Sequence, residues 1–140
     1  MTDFRKAIQS KFEETSRYAN FGDVLMRIHI KGFRCHTNTV VDIESPITAF
    51  SGLNGTGKST ILQLAAAAYK TPDSNIQKSY CIRDFLVVGT LDPRPFTTNA
   101  TVEFKFWQGD RSLKPLTLSR NDATKRWQGY SRRSNLTLLH

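Results

Sequence analysis

The sequence predicts an α/β fold, in which a buried strand feeds a glycine-rich loop and a helix, and an antiparallel β-meander lies beside them. Three observations predict it. Ile47 to Phe50 is apolar on both faces apart from Thr48, as a strand covered on both sides would be. Gly52 to Thr60 carries three glycines and opens into Ile61–Tyr69, a stretch rich in Ala and Leu that reads as a buried helix. Downstream, short runs of alternating apolar and polar residues are separated by turn residues.

The elements follow in chain order. Residues 3–18 read as a helix, because Phe4, Ile8 and Phe12 recur every four residues with Ala7 beside them. Thr2 or Asp3 would cap it, Asn20 and Gly22 would end it, and its apolar stripe is expected to dock on its own domain. Met26, Ile28 and Ile30 alternate with Arg27, His29 and Lys31, which is the pattern of a half-buried strand broken by Gly32. Val40–Ile43 is a second short strand, turned at Glu44-Ser45-Pro46 into Ile47–Phe50. Thr71-Pro72-Asp73 would stop the helix after the loop. Val102, Phe104 and Phe106 alternate with Glu103 and Lys105, and Gln108-Gly109-Asp110 turns the chain. Leu116–Ser119 and Lys125–Gln128 read as a hairpin across Asn121-Asp122, and Leu136 and Leu138 suggest one more strand. Residues 1–22 form a helical extension and residues 23–140 the domain proper.

Composition sets limits on function. The chain has 140 residues, with 39% hydrophobic and 11% aromatic content, enough for a packed core. Mean hydropathy is −0.42, and no apolar run approaches the roughly 20 residues that span a bilayer. With no apolar signal segment at the N-terminus, a cytoplasmic location and no membrane partner are expected. Cys35 and Cys81 stand too far apart for a zinc site or a disulfide framework and read as reduced thiols. The net charge of +8 is uneven. Residues 111–140 contain seven basic side chains and one acidic one, Asp122. Lys125, Arg126, Arg132 and Arg133 are therefore the candidates for facing nucleic acid, against the plainer reading of a solvated β-face.

The chemistry is concentrated in Gly52-x4-Gly57-Lys58-Ser59, the phosphate-loop pattern G-x-x-x-x-G-K-[ST]. With this chain's composition, roughly 0.005 matches would arise by chance, so the motif is read as real. Gly52, Gly55 and Gly57 permit positive φ and let the backbone approach a phosphate. The N–H groups from Asn54 to Thr60, through Gly55, Thr56, Gly57, Lys58 and Ser59, would form an anion nest at a helix N-terminus. Lys58 is the catalytic candidate and reaches the β- and γ-phosphates. The Ser59 hydroxyl ligates Mg²⁺, and Thr60 offers its N–H to the α-phosphate. ATP and Mg²⁺ are the expected cofactors of a P-loop NTPase. The acidic half of such a site is not visible: Phe85–Val88 is apolar, but Gly89-Thr90-Leu91 intervenes before Asp92. Neither Leu-Ser-Gly-Gly nor Asn-Lys-x-Asp occurs.

Ile28 to Arg34, Ser45 to Phe50 and Gly52 to Leu62 together resemble the N-terminal segment of the SMC/RecF-like ABC ATPases. Arg83 to Gly89 and Thr101 to Phe104 resemble a later segment of that family. The resemblance covers about residues 26–107. It implies that Arg34 contacts the nucleotide and that Arg83 lies near an arginine linked to DNA-stimulated ATPase activity. It also implies that the chain is the N-terminal lobe of a longer ATPase domain, since the Q-loop, signature motif and Walker B would lie beyond residue 140. A second head would complete the site as a homodimer or higher oligomer, with DNA as substrate and a nuclease or effector subunit as further partner. DNA repair and anti-phage defence are the implied settings. Two other readings stay open: a small P-loop kinase, and a module that only binds nucleotide or nucleic acid.

Overall fold

The computed structural model describes residues 3–12, 23–43, 48–70, 80–85, 96–107 and 113–135. The elements are α1 (Phe4–Phe12), β1 (Val24–Phe33), β2 (His36–Asp42), α2 (Lys58–Ala67), β3 (Tyr69–Lys70), α3 (Ile82–Phe85), β4 (Phe96–Trp107), β5 (Leu113–Asn121), β6 (Arg126–Gln128), a 3₁₀ turn (Tyr130–Arg132) and β7 (Ser134–Asn135). Five strands form one antiparallel sheet in the order β2-β1-β4-β5-β6, and β3 pairs in parallel with β7.

The meander follows from the alternation. Ile28 and Ile30 on β1, Val102, Phe104 and Phe106 on β4, and Leu116 and Leu118 on β5 share one buried face. Ile61, Leu64 and Ala67 of α2 and Ile82 of α3 complete the core with that face. β5 and β6 form the expected hairpin, with Asn121 Oδ1 accepting from the N–H groups of Ala123 and Thr124 at 3.0 Å each. Asp3 caps α1, its carboxylate accepting the Arg5 N–H at 3.1 Å. Phe4 is 76% exposed, so this end of the helix does not dock its apolar residue on the domain. Both cysteines are free.

Four local expectations change. β1 runs through Gly32 instead of breaking there. Gly32 has φ +70°, and a register shift between Lys31 and Phe33 takes up the irregularity as a bulge. A Cβ on Gly32 would fall 2.0 Å from Thr97 Oγ1, so the crossing admits glycine alone. A second shift between Leu25 and Arg27 makes Leu25, not Met26, the buried residue at the start of the strand. Residues 48–50 are not a strand, and Thr48 and Ala49 are exposed. A central strand exists only when neighbours accept its hydrogen bonds, and none of the described strands runs alongside. Finally, α2 stops at Ala67, and Tyr69 lies on β3.

Tyr69 illustrates why the helix stops there. Its hydroxyl accepts the Leu25 N–H at 2.9 Å and donates to the Asp23 carbonyl at 3.0 Å, tying the end of α2 to the start of β1. Burial pushes this phenol up from 10.0 to about 12, against the Leu25 N–H, which lowers it. The folded pKa exceeds the unfolded one, so the neutral form stabilises the fold below pH 10 and that contribution is lost as pH rises through 12. Of the order of 2–3 kcal/mol should disappear across that window, because each unit is about 1.4 kcal/mol. Unfolding free energies from pH 8 to 12 should fall more steeply for the native chain than for Tyr69→Phe, and parallel curves would refute this role.

Residues 13–18 of the expected first helix and its stop at Asn20 and Gly22, the turns at 44–46, 71–73 and 108–110, the apolar run from 86, Asp92, Arg111 and the strand at Leu136 and Leu138 lie outside the described residues. No helix among the described residues is long and apolar enough to cross a membrane.

Candidate nucleotide-binding site

The phosphate loop leads into the N-terminus of α2, and all three motif glycines adopt positive φ: 153° at Gly52, 82° at Gly55 and 85° at Gly57. Together with Arg34 and Cys35, residues Asn54 to Thr60 line an open cleft of about 360 Å³. Arg34 reaches it from the β1–β2 turn, held there by a left-handed backbone, φ 51°. The sequence reading of Arg34 and of residues 54–60 thus describes one continuous surface.

The helix start is unusual in what it lacks. The N-cap is Gly57, no side chain caps the helix, and the first turn has no acidic residue. The first N–H groups of a helix have no partner within it, and Ser, Thr or Asp ordinarily supplies one. Here the first residue is a cation, Lys58, at the end of the macrodipole that favours anions. This arrangement costs a few tenths of a kcal/mol or more as a bare surface helix and turns favourable once an anion sits on it. The donor set therefore fits a polyphosphate.

Lys58 lies over the loop. Its ammonium donates to the carbonyls of Gly52 at 2.6 Å and Leu53 at 2.7 Å, while the Thr56 hydroxyl donates to Leu53 O at 2.8 Å. Ser59 is exposed at the cleft, where its hydroxyl is open to a cation, and the Thr60 side chain is buried beneath it. No group of three or more His, Cys, Asp or Glu residues that could hold a metal forms among the described residues.

The basic candidates separate into two groups. Arg83, Lys125 and Arg126 come together with Cys81, Trp127 and Tyr130 around a second pocket of about 260 Å³ with no acidic lining. Burial is the main cause that raises the Tyr130 phenol, whose oxygen also accepts the Ile82 N–H. Arg132 is exposed on the 3₁₀ turn. Arg133 corrects the charge-based expectation. It is only 8% exposed, and its guanidinium donates to the carbonyls of Ala67, Tyr69, Tyr80 and Tyr130. A charge spent on four carbonyls is not presented to a partner.

His36 escaped the sequence reading. It is the buried residue of the otherwise half-buried to exposed strand β2, and its Nε2 lies 3.1 Å from the Gly57 carbonyl. No spacing marks it, since the contact joins residues 21 apart in sequence.

Residues 27–135, most of the chain, match the family model described as an AAA domain. The chain belongs to the AAA domain family. Membership supports ATP-binding ATPase chemistry at the level of the family. The chain is also similar to structural maintenance of chromosomes protein 6A of Arabidopsis thaliana, 29% identical over 91 residues, covering 65% of this chain and 8% of that protein. Protein 6B of the same plant is 29% identical over 65 residues, covering 46% of this chain and 6% of that protein. The AAA domain thus spans a small fraction of the length of these relatives, and the resemblance to SMC-like ATPases stands.

Proposed function

We propose that the chain is the ATP-binding lobe of an SMC/RecF-like ABC ATPase, taking Mg·ATP on the phosphate loop and hydrolysing it only when a second head completes the site. The uncapped, cation-first N-terminus of α2 carries this reading, because a bound polyanion would supply the missing cap and offset the Lys58 charge there. Lys58 meets the β- and γ-phosphates, Ser59 ligates Mg²⁺, the Thr60 N–H meets the α-phosphate, and the remaining N–H groups from Asn54 form the nest. Arg34 flanks the nucleotide from the turn. Calorimetric titration of Mg·ATP into the chain and into Lys58→Ala tests it. Binding without turnover that vanishes in the variant supports the lobe. Mg²⁺-dependent turnover by the chain alone points instead to a small kinase or a self-sufficient enzyme.

DNA is the proposed partner, in DNA processing, repair or anti-phage defence, as the chromosomal role in the relatives' names suggests. Arg83, Lys125 and Arg126 are its contact residues, with Arg132 nearby in sequence. Among the described residues none of the three around the pocket forms an ion pair. Lys125 holds φ 58°, a left-handed conformation that suits Gly, which has no β-carbon, better than lysine. Lys125→Gly should therefore raise stability by about 0.5–1 kcal/mol. The same change should weaken binding to a short DNA duplex and lower the slope of log affinity against log salt by about 1. An unchanged salt slope would remove Lys125 from the interface.

A further inference from the structure

We propose that His36 is a positioning residue that aims the Lys58 backbone N–H at the bound phosphates. The inference rests on the phosphate-loop reading and adds the means by which the sheet holds that loop. The Gly57 carbonyl accepts two hydrogen bonds, from the Ile61 N–H at 3.2 Å and from His36 Nε2 at 3.1 Å. A carbonyl only accepts, so Nε2 carries a proton, and Nδ1 pairs with the Thr39 hydroxyl at 3.1 Å. Both ring nitrogens are thus satisfied in a buried position, 5% exposed.

The carbonyl of Gly57 and the N–H of Lys58 belong to one peptide unit. That unit is planar, and the two groups point in opposite directions across it. Fixing the carbonyl from below therefore fixes the N–H above, at the mouth of the cleft. A donor on the carbonyl also polarises the amide, so its N–H becomes the stronger donor to an anion. The approach is close: a Cβ on Gly57 would stand 2.2 Å from His36 Nε2 and 2.6 Å from Cys35 Sγ. Glycine at position 57 is therefore required by the histidine as well as by φ 85°. The turn that brings Arg34 to the nucleotide leads directly into His36, so one segment both flanks the phosphates and orients the loop that binds them.

The test compares His36→Leu with His36→Gln in the full chain. Both remove the ring, and only Gln retains an N–H that reaches the Gly57 carbonyl. Affinity for Mg·ATP should fall about tenfold in His36→Leu, and His36→Gln should stay within about threefold of the native chain. Without nucleotide, the Lys58 amide proton resonance should move upfield in His36→Leu and return toward its native position in His36→Gln. Thr39→Val leaves the ring in place and should weaken binding about twofold to threefold, which keeps the test readable should His36→Leu unfold. Equal affinities for Leu and Gln, with an unmoved Lys58 amide, would overturn the assignment while Lys58→Ala still abolishes binding. Should Lys58→Ala bind as the native chain does, the phosphate-loop reading is what fails, and the amide resonance alone then decides whether His36 orients the peptide.

Discussion

Lys58→Ala is expected to raise the dissociation constant for Mg·ATP by at least about 100-fold while leaving the fold intact. Hydrogen bonds to charged groups contribute about 1.5–3 kcal/mol each, and Lys58 makes such bonds to two phosphates on the proposed reading. The loss is thus about 3–6 kcal/mol, and each 1.4 kcal/mol is tenfold in affinity. Stability should hardly change. The side chain is partly exposed, and its bonds to the Gly52 and Leu53 carbonyls stay within the loop. Its charge also sits at the unfavourable end of the α2 dipole, so removal relieves a small repulsion. Calorimetric titration reads the affinity and thermal melting reads the stability. A variant that melts normally and binds ATP as tightly as the native chain would refute the role of Lys58.

The features that were legible in the sequence are those set by local spacing. Gly52, Gly55, Gly57, Lys58 and Ser59 stand at the intervals that a phosphate loop needs, and the backbone places all three glycines at positive φ. The meander is legible because Val102, Phe104 and Phe106 alternate with Glu103 and Lys105. What stayed hidden depends on partners distant in sequence. Ile47–Phe50 looks like a buried strand from composition, yet the described residues 48–50 form none, because strand identity belongs to the pair and not to the segment. Tyr69 continues the apolar run of the helix, but its hydroxyl is used by residues 23 and 25. Arg132 and Arg133 carry the same charge side by side, and only the fold sends one to solvent and the other to the interior. His36 gives no signal at all, since its partner is a carbonyl and every residue has one.

Arg133→Ala should be among the most destabilising single substitutions in the chain, costing about 3–5 kcal/mol. The guanidinium gathers four carbonyls from four places: Ala67 in the last turn of α2, Tyr69 on β3, Tyr80 before α3 and Tyr130 on the 3₁₀ turn. It also stacks over the Tyr130 ring, 4.9 Å from its centroid. At Ala67 it meets the negative end of the same helix dipole whose positive end faces the proposed phosphate site. Alanine removes the side-chain donor from all four carbonyls, although the Tyr130 carbonyl keeps the Arg133 backbone N–H, and a buried acceptor left without a donor costs about 1–3 kcal/mol. Lysine restores one charge but not the planar fork, so Arg133→Lys should recover only part of the loss. Domains of this size have about 5–15 kcal/mol in total, so Arg133→Ala should sit near the unfolding threshold at 37 °C. Urea unfolding of the native, Lys and Ala forms measures the order. A fully stable Arg133→Ala with weakened DNA binding would return Arg133 to the interface. A destabilised variant that, at low temperature, keeps its salt slope for DNA makes it the clamp joining α2 to the second pocket.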